Sequence, residues 1–133
     1  MKILILHGPN MNLFGLRSSY EGNNLTLDKI NRHIRRYIRD KNLEVKIIQT
    51  HNETKAVSYI QNNRKKIDGL VISPCAWSSS GYVLDDLLKL IKLKYIVINL
   101  DNSDKNILFQ NGKTIFNNDI LVSFEEALNN FDE

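Results

Sequence analysis

Arg17 and Tyr20 are the two side chains whose types and spacing best suit chemistry. They stand three residues apart in a polar stretch, His7 to Gly22, that follows the first apolar run of the chain. A free phenol titrates near ~10 and is a poor base at neutral pH. A guanidinium beside it favours the phenolate, which can then act as a general base. The stretch is long for a β–α connection, where ~2–6 residues are usual, and long connections often serve as lids with glycine hinges. The competing reading is an ordinary surface loop with both side chains merely exposed. Other chemistries are excluded: neither GxGxxG nor GxxxxGK[ST] is present, so dinucleotide and P-loop sites have no support. Pro9 removes a backbone donor that a phosphate cradle would use. The first apolar run does not end in paired aspartates, against a phosphoacceptor domain.

Three later polar segments also follow apolar runs: Gln49 to Glu53, Ser73 to Gly81, and Asn99 to Ser103. His7 and His51 can be neighbours if their strands pair. They would then be either a titrating pair or hydrogen-bonded structural histidines, the commoner case. Cys75 carries a nucleophile's thiol without an assured base, and a small buried thiol is the simpler reading. His33 reads as a surface residue. Arg32, Arg35, Arg36, Arg39 and Lys41 make a basic cluster, but no aromatics are interleaved with it. It therefore reads as the solvated face of a helix, with no nucleic-acid partner.

These segments need strands to present them. Ile3–Leu6, Leu70–Ile72 and Tyr95–Ile98 are short apolar runs suited to buried parallel strands, and Val45, Ile47 and Ile48 make another. A fifth strand falls at Thr114–Phe116 or at Ile120–Val122. Between the runs, Leu27, Ile30, Ile34, Tyr37 and Ile38 recur at helical spacing, with Thr26 or Asn24 as cap. Ala56, Val57 and Ile60 mark a second helix. Val83, Leu84, Leu87, Leu88 and Ile91 mark a third. Phe124, Ala127, Leu128 and Phe131 mark a last one, with Ser123 and Glu126 placed for a capping box. Alternating strands and helices predict an α/β sandwich: a five-stranded parallel sheet with helices on both faces and a ligand site at the strand carboxyl ends. The 133 residues suit one domain, 1–133. Hydrophobic residues are 42%, charged residues 25%, and net charge is +3, a globular balance. No apolar run reaches the ~20 residues that span a bilayer, so no membrane role is expected. Cys75 is the single cysteine, which fits a reducing, cytoplasmic setting.

The opening from Ile5 through His7-Gly8-Pro9-Asn10-Met11-Asn12-Leu13-Phe14-Gly15-Leu16 to Arg17 closely resembles the N-G-P-N-x-N-x-L-G-x-R signature of type II 3-dehydroquinate dehydratases. Further matches follow in order: Leu25 to Ile30, Gln49-Thr50-x-x-Glu53, Ile72-x-Pro74-x-Ala76-Trp77-Ser78, Asp86, Leu100-x-Asn102 and Phe109. The likeness covers most of the chain to about Gln110.

The resemblance implies a flavodoxin-like fold and a homo-oligomer, trimer or dodecamer. It implies a shikimate-pathway reaction on a small-molecule substrate: dehydration of 3-dehydroquinate to 3-dehydroshikimate by anti elimination through an enolate, with no cofactor and no metal. Tyr20 would be the base, Arg17 its activator, and Asn10 the holder of a water at the enolate. Substrate contacts would come from Asn12, Ser73, Ser79, Asn99, Leu100, Asp101, Gln110 and Asp86. Several of these depart from the family pattern. The tyrosine follows the arginine by three residues instead of five. The acid histidine falls on Asn99, its orienting glutamate on Val97, and a second arginine on Asn106. Hydroxyl ligands that are Asn, His and Arg in the family fall on Ser73, Ser79 and Gln110, and Asp101 replaces a serine. His51 is then the candidate substitute acid. Losing a general acid costs ~10²–10⁴-fold in rate. The expectation is a weakened dehydratase; the alternative is a catalytically silent homologue kept as a binding or structural subunit.

Overall fold

The computed structural model of this chain describes residues 1–102 and 106–131. Ser103, at the end of the third polar segment, lies outside the described residues. Five strands form one parallel sheet: β1 (Lys2–His7), β2 (Glu44–Gln49), β3 (Gly69–Ser73), β4 (Tyr95–Ile98) and β5 (Lys113–Ile115). Their order is β2-β1-β3-β4-β5. The chain leaves β1 toward β2, then returns to build the other side from β3. That reversal opens a crevice at the carboxyl ends of β1 and β3, where ligands of doubly wound sheets bind.

Strand alternation splits the apolar residues between two cores. Ile3 and Ile5 of β1, with Val71, Ile96, Ile98 and Ile115, face α2 (Leu27–Tyr37) and α6 (Ile120–Asn129). Leu4 and Leu6, with Leu70, Ile72 and Val97, face α3 (Glu53–Asn63) and α5 (Tyr82–Ile91). Burial on both faces is why these strands read as continuous apolar runs. The helices start where short polar side chains satisfy their free N–H groups. Thr26 Oγ1 accepts from the Lys29 N–H at 3.2 Å, and Asn52 Oδ1 from the Lys55 N–H at 3.2 Å. Among the described residues no helix is long and apolar enough to cross a membrane.

The architecture is the expected flavodoxin-like sandwich, with differences at its ends. The fifth strand is Lys113–Ile115, and Ile120–Val122 instead opens α6. Asp119 caps that helix, its Oδ1 accepting the Leu121 N–H at 3.0 Å, so Ser123 lies inside the helix, buried. Val83 faces solvent, away from the apolar stripe of α5. The long stretch after β1 is not an open loop. It forms a 3-10 turn (Met11–Leu13) and then α1 (Phe14–Tyr20), so Gly15 sits within a helix instead of serving as a hinge. Phe14 and Ser18 supply the buried side of α1, and Phe14 joins the core that α2 and α6 cover. A short helix α4 (Trp77–Ser80) precedes α5.

Candidate active site

The segment after β1 is clasped by its neighbours. The Gly8 N–H donates to the Ser73 carbonyl at 2.9 Å, and the Gln49 Nε2 donates to the Gly8 carbonyl at 3.2 Å. A Cβ on Gly8 would lie 2.6 Å from the Pro74 carbonyl oxygen and 2.8 Å from that of Ser73. Only glycine lets β1 and β3 end this close together. Asn10 then turns into the left-handed region, φ 69° and ψ 4°, and its N–H donates to His51 Nδ1 at 3.2 Å.

This turn starts the wall of a cavity of about 600 Å³ over the strand ends. Asn10, Arg17 and Tyr20 line it from the segment after β1, Pro74, Cys75 and Ser78 from that after β3, and Asn99 and Leu100 from that after β4. Asn106 also lines it. Arg17 and Tyr20 are one helical turn apart on α1, so the three-residue interval puts both on one face. Leu13 and Leu16 share that face and also line the cavity. The series 13, 16, 17, 20 is a helical stripe that the sequence displayed. It was obscured because a β–α connection of this length suggests an irregular lid. Tyr20 is 79% exposed and rims the opening.

The other candidates scatter. Asn12, His51, Ser79, Asp86, Asp101 and Gln110 are exposed and do not line the cavity. Ser73 is buried: its Oγ is 3.1 Å from His7 Nδ1, and His7 Nε2 is 2.9 Å from Asn31 Oδ1. His7 and His51 therefore have separate partners. Burial lowers the His7 pKa to about 4, with the Asn31 hydrogen bond opposing the shift, so its imidazole is neutral at pH 7. His33 is not a free surface group; it is half-buried, and its Nε2 meets Glu125 Oε2 at 2.6 Å, tying α2 to α6. Cys75 is half-buried at the cavity wall with φ 53°. Val97 is fully buried. Among the described residues, no cluster of three His, Cys, Asp or Glu side chains could hold a metal ion.

Asp85, which sequence reading passed over for Asp86, anchors the return loop that carries Asn106. It is 4% exposed. Its Oδ1 accepts the Phe109 N–H at 2.9 Å and its Oδ2 pairs with Lys89 at 3.1 Å. The N–H groups of Ile107 and Leu108 both donate to the Ser78 carbonyl, at 3.2 and 2.9 Å. The signal available was position: at the start of an amphipathic helix, an acid within the apolar stripe must have a partner.

Residues 1–120 match the family model for class II dehydroquinase. The chain belongs to the class II dehydroquinases. It is 34% identical over 102 residues to a 3-dehydroquinate dehydratase of Geotalea daltonii, covering 77% of this chain and 71% of that protein. A Clostridium botulinum 3-dehydroquinate dehydratase is 31% identical over 100 residues, 75% of this chain and 68% of that protein. A type II dehydroquinase structure from Butyrivibrio crossotus superposes with a TM-score of 0.84 at 28% identity, covering 97% of this chain and 95% of that one. In this chain, Glu53 of the third family motif has a structural task. Its Oε2 accepts the Leu84 N–H at 3.0 Å, capping α5 from α3.

Proposed function

We propose that this chain dehydrates 3-dehydroquinate to 3-dehydroshikimate, slowly relative to a dehydroquinase that has an acid after β4. The observation that carries the reading is one cavity at the strand carboxyl ends shared by Asn10, Arg17, Tyr20 and Asn99. Tyr20, as phenolate, removes the C2 proton of the substrate, and the C–H electron pair becomes the enolate. Arg17, one turn earlier on the same face, supplies positive charge to the anions gathered there. The Asn10 side chain holds a water against the enolate oxygen. The enolate then collapses, forming the C1–C2 double bond and breaking the C1–O bond. The departing hydroxyl needs a proton, and Asn99 has no acidic proton to give. Solvent water supplies it, and the lost acid catalysis lowers the rate ~10²–10⁴-fold.

The test is the growth of the conjugated enone in the ultraviolet when purified protein meets 3-dehydroquinate. Slow, protein-dependent growth is expected; none at high protein concentration would refute the activity. The silent-subunit reading draws on the same Asn99. It requires that no enone form, whether the chain serves as a binding or as a structural subunit.

The same reading makes the chain a homo-oligomer working in the cytoplasm. Support for assembly comes from apolar side chains left in solvent on α5 and the return loop: Tyr82, Val83, Leu90 and Ile107. Sedimentation should give a trimer or dodecamer; a monomer at micromolar concentration would remove that part.

A further inference from the structure

His51 stands outside the cavity wall yet makes one directed contact with it. Its Nδ1 accepts the N–H of Asn10 at 3.2 Å, and Asn10 lines the cavity. Asn10 is in the left-handed region, which asparagine enters more readily than other L-residues, and the His51 contact adds a directed hold on that turn. Its side chain makes no capping bond to the 3-10 turn that follows. No cap therefore ties that side chain to the turn, and the turn is held by the backbone N–H to His51. On the other side, His51 sits between two committed neighbours. The Thr50 N–H donates to the His7 carbonyl at 3.1 Å, and Thr50 Oγ1 accepts the Asn52 N–H at 3.0 Å. Asn52 Oδ1 in turn caps α3. The backbone that carries the imidazole is fixed by β1 and by a helix start.

We propose that His51 is a positioning residue for Asn10: its unprotonated Nδ1 locks the left-handed turn that aims the Asn10 amide into the cavity. The proposal rests on the reading of Asn10 as the holder of the enolate water. It replaces the role of substitute acid. The nitrogen that faces the site is already an acceptor, and the ring does not line the cavity. The imidazole is held as the Nε2–H tautomer, because a proton on Nδ1 would remove the acceptor.

Two variants separate the roles. His51→Ala removes the acceptor. His51→Asn restores it, since the asparagine amide oxygen reaches about where Nδ1 sits, but it cannot donate an acidic proton. Hydrogen exchange of the Asn10 amide, read by NMR, reports the lock without any turnover. In His51→Ala the exchange should quicken at least ~10-fold, and enone formation should fall at least ~10-fold, as expected when a reacting group is misplaced. In His51→Asn both should return to within ~3-fold of the unmodified chain. Unchanged Asn10 exchange in His51→Ala would overturn the proposal. So would an Asn variant that protects the amide but fails to restore turnover, which would make His51 the acid after all. If the unmodified chain forms no enone, the dehydratase reading fails, and amide exchange alone still decides the role of His51.

Discussion

At the cavity rim stand Tyr20, the proposed base, and Arg17, the proposed source of positive charge. Tyr20 is largely exposed, so Tyr20→Phe should leave unfolding unchanged while enone formation falls ~10²–10⁴-fold or more. An unaffected rate would remove the base. Below the rim, His7 is a stability device. Its folded pKa is about 4 against an ordinary 6.5, so the folded state refuses a proton that the unfolded chain accepts. Its stabilising effect is full above pH 6.5 and is lost as pH falls toward 4, amounting to roughly 3 kcal/mol. Urea unfolding of the chain and of His7→Gln between pH 7 and 4 should show this as a steeper loss in the unmodified chain; parallel curves would contradict it. The sequence could not choose between structural and titrating histidines. The deciding partners, Ser73 and Asn31, lie 66 and 24 residues away.

Among the elements, α1 and the return loop after β4 shape the cavity. Gly8→Ala would push a methyl group against two carbonyl oxygens that cannot swing aside, and should lower stability by about 1–3 kcal/mol in chemical unfolding. Asp85→Ala should lower it by a similar ~1–3 kcal/mol, because the Phe109 N–H loses its acceptor. A neutral result for Asp85 would mean that the loop is held elsewhere. Strands β1, β3 and β4 were legible because burial on both faces writes itself as continuous apolar runs. The helix after β1 was less so: its Leu13, Leu16, Arg17 and Tyr20 stripe faces a cavity, and a mixed apolar and polar stripe resembles neither a core face nor a solvent face. The start of α6 was missed for a simpler reason. Ile120-Leu121-Val122 is apolar with two β-branched residues, Ile120 and Val122, and only the Asp119 cap shows where the helix begins.

For the whole molecule, the order β2-β1-β3-β4-β5 fixes where chemistry can occur, and the cavity lies at its switch point. The two halves of the proposed elimination have different standing. The proton-removing half, Tyr20 with Arg17 and Asn10, lies together in the cavity. The half that expels hydroxide has Asn99 where an acid would be needed, so the enolate should form more readily than it collapses. That imbalance is measurable in heavy water. An exposed Tyr20 exchanges its proton with solvent, so substrate that returns from the enolate carries deuterium at C2. The most direct measurement follows 3-dehydroquinate by NMR in D₂O with the chain present. The expected result is deuterium at C2 accumulating above the protein-free rate and ahead of enone, and vanishing with Tyr20→Phe. Exchange no faster than without protein, or unchanged in Tyr20→Phe, would contradict proton removal by Tyr20.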